Sequence, residues 1–255
     1  MFFLDVQGTL ISDADKSLIF GAKELIDFLN TNNLAYVIIT NNTKKLNFLE
    51  FLRQKGLNIK DNAYLDPFYI LKTLFEPCKV AAFGANEFLQ SLEMLGFKLD
   101  FKNPKLVFIA SFDDFKFKDF ASIIEMIKNG VKVVAMHESS IYKKDNKSYP
   151  GVGSIMAMLK NAVHFEYDVV GKPSFLFYKE ALKLLKMQNQ NARFEDIKII
   201  SDDFKGDLLK AKELNMKTYL VLSGKLNNTK GIDAGILDGV YPSVFEILKE
   251  GQCLI

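Results

Sequence analysis

The hydrophobic pattern along this chain switches repeatedly between short continuous apolar runs and stretches with helical spacing. The first run, Phe2-Phe3-Leu4, stops at Asp5 and is followed by Val6-Gln7-Gly8-Thr9-Leu10. Downstream, Ala22, Leu25, Ile26 and Leu29 fall at i, i+3, i+4 and i+7, which predicts a helix with one buried face, ending near Asn30 to Asn33. Ala35 to Ile39 is apolar throughout and rich in β-branched residues, as in a strand buried on both sides, and it delivers Thr40-Asn41-Asn42-Thr43. Another helix then runs to Gly56. Strand, helix, strand, helix in this order predicts a parallel sheet with right-handed crossovers, which brings Asp5 and Thr40 to the same sheet edge.

From about Lys79 the pattern changes character. Val80 to Phe83, Leu106 to Ala110 and Val131 to Met136 read as strands, with helices near Glu87 to Leu95 and from Asp119 to Gly130 between them. Lys143-Lys144-Asp145-Asn146-Lys147 reads as a solvated loop, and Pro150-Gly151-Val152-Gly153 leads into a further helix. A third block begins near Glu166. It carries Gly171-Lys172-Pro173, a helix capped by Ser174, a strand from Ile197 to Ile200 that delivers Ser201-Asp202-Asp203-Phe204-Lys205-Gly206-Asp207, and a helix through Leu208, Leu209 and Leu214 to Asn215. Strands at Thr218 to Leu222 and Gly239 to Tyr241 and a closing helix from Ser243 to Lys249 complete the pattern, with no internal repeat.

Composition narrows the function classes. At 255 residues and 49% hydrophobic content the chain suits one large domain or two moderate ones, and the change of pattern near residue 77 favours two. Thirty-three basic against 31 acidic residues leave +2, too balanced to imply attraction to nucleic acid or a membrane surface. Cys78 and Cys253 lack the spacing of a disulfide framework or zinc site. No apolar run approaches the ~20 residues of a spanning helix, and the first strand begins too early to leave room for a signal peptide. A soluble, cytoplasmic protein is expected.

A strand-end aspartate alone is equally at home as a turn or helix-capping residue. Here it is followed in order by a strand-end Thr-Asn, a lysine before a proline, and a strand-end acidic cluster, and together these are the parts of a phosphoryl-transfer site. A carboxylate nucleophile attacking phosphorus needs a divalent cation to offset charge repulsion, and Asp5 with Asp202 supplies hard oxygen ligands for Mg²⁺, with Asp207 behind them. Thr40, the backbone around Asn41 and Lys172 are donors suited to a phosphoryl group.

The order of these segments resembles the haloacid dehalogenase superfamily, in the branch similar to NagD and the 4-nitrophenylphosphatases. Asp5-Val6-Gln7-Gly8-Thr9-Leu10 resembles its first motif, Asp-x-Asp-Gly-Thr-Leu; Thr40-Asn41-Asn42 its second; Gly171-Lys172-Pro173 its third; and Ser201-Asp202 with Asp207 its fourth, serine replacing the usual glycine. Pro150-Gly151-Val152-Gly153 resembles a segment near the end of this branch's cap. The resemblance implies an α/β fold: a Rossmann-like parallel-sheet core (residues 1–76 and 166–255) with an inserted α/β cap domain (77–165). It implies an aspartyl-phosphate on Asp5, Mg²⁺ held by Asp5, the main-chain carbonyl of Gln7 and Asp202 with support from Asp207, and a phosphoryl group gripped by Thr40 and Lys172. Gly8, Asn41, Asn42 and His137 are expected to contact the substrate, a small phosphorylated metabolite, and a homodimer is implied because members of the branch often pair through their caps.

Two departures bear on mechanism. Gln7 stands where the family has an aspartate that protonates the leaving group and then activates water; glutamine can do neither, a loss typically on the order of 10²–10⁴ in rate. The expectation is a phosphatase that is slow or biased toward good leaving groups, the alternative a descendant that binds a phosphorylated metabolite without turning it over. In the cap, His137 is a candidate substitute proton donor, because the unperturbed pKa of a histidine, about 6.5, suits that task, although a hydrogen-bonded structural histidine is the commoner arrangement. Asp203, beside a metal ligand, reads either as a site residue or as a loop-positioning one.

Overall fold

The computed structural model describes residues 1–144 and 147–251. In chain order the first elements are strand β1 (Phe2–Asp5), helix α1 (Ala22–Thr31), β2 (Tyr36–Ile39), α2 (Phe48–Gln54), β3 (Tyr64–Leu65) and α3 (Pro67–Leu74). Then follow β4 (Lys79–Phe83), α4 (Asn86–Met94), β5 (Lys98–Leu99), β6 (Leu106–Ile109), α5 (Phe117–Lys128), β7 (Lys132–Ala135), β8 (Ile141–Lys144), β9 (Lys147–Pro150), α6 (Val152–Ala162) and β10 (Tyr167–Val169). The last are α7 (Phe175–Gln188), β11 (Lys198–Ser201), α8 (Leu209–Glu213), β12 (Lys217–Val221), β13 (Gly239–Tyr241) and α9 (Val244–Gly251). The described residues divide into two compact units, one of residues 1–40, 47–65 and 178 onward, the other of 41–46 and 66–177.

In the first unit the strands form a six-stranded sheet in the order β13-β12-β11-β1-β2-β3, every neighbouring pair parallel. The chain winds outward from β1 in one direction and, after its return, outward from β11 in the other. The strand order therefore reverses between β1 and β11, and in open α/β sheets the carboxyl ends at such a reversal are where ligands bind. The predicted face of α1 packs as its spacing requires: Ala22, Leu25, Ile26 and Leu29 are all buried, against Leu4, Val6, Ile38 and Leu52 among others. Gly21 opens this helix with φ +89, and a side chain there would strike the backbone of Phe245.

The second unit holds a five-stranded parallel sheet, β10-β7-β6-β4-β5, with the face of α5 (Ile123, Ile127) and that of α6 (Val152, Ile155, Met156, Leu159) in its core. The helix expected from Asp119 begins at Phe117 instead, because Asp119 is its third residue and accepts the amide N–H of Lys116 at 2.8 Å, an N-terminal cap formed from inside.

Two other expectations are corrected. Lys143, Lys144 and Lys147 lie in strands rather than in a loop: β8 and β9 pair antiparallel from Ile141↔Pro150 to Lys144↔Lys147, with the Tyr142 and Tyr149 rings stacked at 5.5 Å. Asp145 and Asn146 lie outside the described residues, as does Cys253. The helix expected from Leu208 to Asn215 is shorter, since residues 204–208 form one wide π turn before α8 and Asn215 has φ +63. The two-residue strands β3 and β5, the three-residue β10, and α3, capped by Asp66 on the Tyr69 amide, were not expected. Among the described residues no helix is long and apolar enough to cross a membrane.

Candidate active site

Asp5 closes β1 and Asp202 follows β11 directly, so the two carboxylates stand at the carboxyl ends of the strands where the sheet order reverses. Both are buried, Asp202 fully. Thr9 links the loops that carry them: its hydroxyl lies 3.5 Å from Asp5 Oδ2 and accepts the amide N–H of Asp202 at 3.1 Å. The loop after β1 is tight, with the Thr9, Leu10 and Ile11 amides all donating to the Val6 carbonyl. Gly8 makes this possible. Its φ is +76, and a Cβ there would fall 2.1 Å from Asp202 Oδ2.

A segment not read from the sequence completes the enclosure of Asp202. After β12, Gly224 approaches from the other side, where a Cβ would lie 2.0 Å from the same oxygen. The amide of Lys225 donates to Asp202 Oδ2 at 2.6 Å, and Ser223 Oγ donates to the Gly8 carbonyl at 2.7 Å. Its sequence signal is a strand-end position alone, since Ser-Gly-Lys has no acidic residue to mark it. Oδ1 of Asp202 is buried without a hydrogen-bond partner among the described residues. Burial, and then the Asp5 carboxylate, push the Asp202 carboxyl well above the usual range, with Lys225 offsetting part of the effect.

Behind Asp202, Ser201 Oγ donates to Asp207 Oδ2 at 2.6 Å and accepts the Asp203 amide at 3.0 Å. The serine that replaces the family's glycine thus ties the two later aspartates of the segment together. Asp203 Oδ1 accepts the Gly206 amide at 2.8 Å, starting the π turn, and Oδ2 pairs with the Lys225 ammonium. The buried Tyr178 hydroxyl donates to the Asp207 carbonyl at 3.2 Å. Thr40 follows β2, the neighbour of β1, and its hydroxyl donates to Gln7 Oε1 at 2.9 Å.

These residues fit a hard divalent cation. The unpartnered buried oxygen of Asp202 and two carboxylates whose charges oppose one another are what such a cation satisfies. Among the described residues no three His, Cys, Asp or Glu side chains gather at metal-holding distance. The set expected from the sequence has a different make-up: the carboxylates of Asp5 and Asp202, the Gln7 carbonyl, and Asp207 held back by Ser201.

The remaining expected residues belong to the second unit. Asn41 reads the Lys172 backbone from both sides, accepting its amide N–H at 2.8 Å and donating to its carbonyl at 3.3 Å; it also donates to Ser139 Oγ at 3.3 Å. Lys172 is buried and precedes a cis peptide bond to Pro173. Asn42 folds its own loop, donating to the Lys45 carbonyl at 2.7 Å. Gly171 fits against Met136 O, Asn41 Oδ1 and His137 Cβ, and Gly151 and Gly153 against the carbonyls of Ser139 and Glu138, so the segment Met136 to Ser139 is packed against glycines on both sides. His137 is held within it. The Ser139 amide donates to Nδ1 at 3.2 Å, which leaves the ring proton on Nε2, 2.9 Å from Ser111 Oγ.

The chain is similar to known proteins along most of its length. A family model for haloacid dehalogenase-like hydrolases matches residues 2–98, and a second, HAD-hydrolase-like model matches 169–243. The mouse (Mus musculus) haloacid dehalogenase-like hydrolase domain-containing protein 2 is 25% identical over 225 residues, 87% of this chain and 83% of that protein. A dihydroxyacetone phosphatase of Corynebacterium glutamicum (strain R) is 23% identical over 229 residues, 88% of this chain and 81% of that protein. The p-nitrophenyl phosphatase of Archaeoglobus fulgidus superposes with a TM-score of 0.80, covering 97% of each chain at 21% identity, and so shares the fold. With Asp5 and Thr40 inside the first family match and Lys172, Asp202 and Asp207 inside the second, this chain belongs to the haloacid dehalogenase-like hydrolases.

Proposed function

We propose that this protein is a phosphatase that removes the phosphoryl group from a small phosphorylated metabolite through an aspartyl-phosphate on Asp5, with Mg²⁺ as cofactor, in the cytoplasm. The observation that carries the reading is the pairing of Asp5 with Asp202 across the point where the sheet order reverses, with one buried Asp202 oxygen unpartnered. Named phosphatases among the similar proteins support it.

In this reading Asp5 attacks phosphorus, the bond to the leaving oxygen breaks, and water later cleaves the acyl phosphate. Asp5, the Gln7 carbonyl and Asp202 hold the cation, backed by Asp207, and when bound it offsets the repulsion between the nucleophile and the phosphoryl oxygens. The family motifs give Thr40 and Lys172 the grip on the phosphoryl group, and Gly8, Asn41, Asn42 and His137 contact with substrate. Residues 1–76 and 166–255 form the catalytic core and 77–165 the inserted cap, through which two copies pair.

Gln7 limits the chemistry. It has no proton to give, so leaving groups stable as anions react best, and water must attack the acyl phosphate without a general base. Its amide oxygen is engaged by Thr40, and Thr40 must share or release that bond to reach a phosphoryl oxygen. That hydrogen bond favours a second reading, in which the site binds a phosphorylated metabolite and acts through binding. A panel of aryl, acyl and alkyl phosphates with Mg²⁺, run on native protein beside Asp5→Asn, decides between them. Turnover of activated esters abolished by Asp5→Asn supports the phosphatase; binding without turnover on every ester supports the second reading.

A further inference from the structure

The Ser223-Gly224-Lys225 turn holds Asp202 by two separate means. Its main chain engages Oδ2: the Lys225 amide donates to it at 2.6 Å and Gly224 leaves space for it, so that Oδ1 is the oxygen left over. The Lys225 side chain turns to a different partner, Asp203, in an ion pair whose side chains are 23% and 17% exposed. Asp203 is itself anchored, because its other oxygen takes the Gly206 amide at 2.8 Å. The ammonium is therefore fixed beside the acidic corner rather than free to swing into solvent.

That corner carries Asp202, Asp203 and Asp207: Lys225 gives its amide to Asp202 and its ammonium to Asp203, and Ser201 ties Asp207 to the same turn. A divalent cation at Asp202 and this ammonium draw on the same negative potential, and two positive charges so placed oppose each other.

We propose that Lys225 is a positioning residue with an internal counter-cation: its amide fixes Asp202 so that Oδ1 faces the metal, while its ammonium balances the acidic corner and weakens Mg²⁺ binding. The inference rests on the Mg²⁺ site proposed above. Its consequence has an unexpected sign. Removing the Lys225 charge tightens metal binding, whereas loss of a side chain that merely held the loop would loosen Asp202 and weaken it.

The test is Mg²⁺ affinity by calorimetry, together with melting temperature against Mg²⁺ concentration, for native protein, Lys225→Gln, Lys225→Arg and Asp203→Asn. Lys225→Gln is expected to melt below native without metal and to bind Mg²⁺ roughly tenfold more tightly. Lys225→Arg keeps the charge and binds as native does. Asp203→Asn takes away a carboxylate that faces the ammonium, and binds several-fold more weakly. Unchanged or weaker binding by Lys225→Gln overturns the proposal; where that variant does not fold, unchanged or tighter binding by Asp203→Asn overturns it. A native protein with no Mg²⁺ response in either measurement overturns the metal reading itself, and the role of Lys225 with it.

Discussion

Gly8 and Asp202 are in such close contact that a methyl group on Gly8 would lie 2.1 Å from the Asp202 carboxylate oxygen. The glycine of the first motif is thus fitted to a residue almost two hundred positions later, and its positive φ adds a second reason for the absence of a side chain. Gly224 makes the matching contact, 2.0 Å from the same oxygen, without a left-handed backbone.

The two glycines separate sterics from strain. Gly8→Ala is predicted to lose Mg²⁺ binding and about 1–3 kcal/mol of stability, from the left-handed backbone and the displaced carboxylate together. Gly224→Ala is predicted to lose Mg²⁺ binding at a smaller cost in stability. Chemical denaturation beside metal titration measures both; retained metal affinity in either variant would show that Asp202 is not held for a cation.

Much of the fold is legible in the sequence. Ala22, Leu25, Ile26 and Leu29 announced a buried helix face because four apolar residues at helical spacing leave few alternatives, and all four are buried. Asp5 and Asp202 stood out only in company with Thr40 and Lys172, because a single strand-end aspartate serves equally well in a turn or a helix cap. What escaped lacked either signal. The two-residue strands Tyr64–Leu65 and Lys98–Leu99 are too short to show a period. The pairing of strand Ile141–Lys144 with strand Lys147–Pro150 was hidden by their lysines, although Tyr142 and Tyr149 pair across it. Nothing in the sequence singles out Lys225, since its partners Asp202 and Asp203 lie on another strand's end and only folding brings them together.

Ser201 shows what the departure from the family's glycine does here. Its buried hydroxyl bridges Asp207 and the Asp203 amide at 2.6 and 3.0 Å. Ser201→Ala is predicted to cost about 1–3 kcal/mol, the penalty for a buried acceptor and donor left unsatisfied. Urea unfolding checks this, and a change within error would mean that both groups find other partners.

His137 is predicted to contribute stability rather than a proton. With Nδ1 accepting from the Ser139 amide and Nε2 facing Ser111, both ring nitrogens are already engaged. His137→Ala is expected to destabilise by about 1–3 kcal/mol and to leave the acidic limb of the pH-rate profile where it was. A displaced acidic limb would return His137 to the mechanism.

Gln7 is where catalysis is most open to repair. Gln7→Asp restores a carboxyl group able to protonate a leaving oxygen, and turnover of alkyl phosphates is predicted to rise on the order of 10²-fold or more, with aryl phosphates gaining less. Equal gains for both classes in steady-state kinetics would contradict the assignment of the missing acid to this position.

The most direct test of the whole account is the covalent intermediate on Asp5. Native protein mixed with an aryl or acyl phosphate and Mg²⁺, quenched in acid and weighed by intact-mass spectrometry, is predicted to gain one phosphoryl group. Peptide mapping should place it on Asp5, and Asp5→Asn should gain none. Hydrolysis of the ester with no adduct on Asp5, and with Asp5→Asn as active as native protein, would contradict the account.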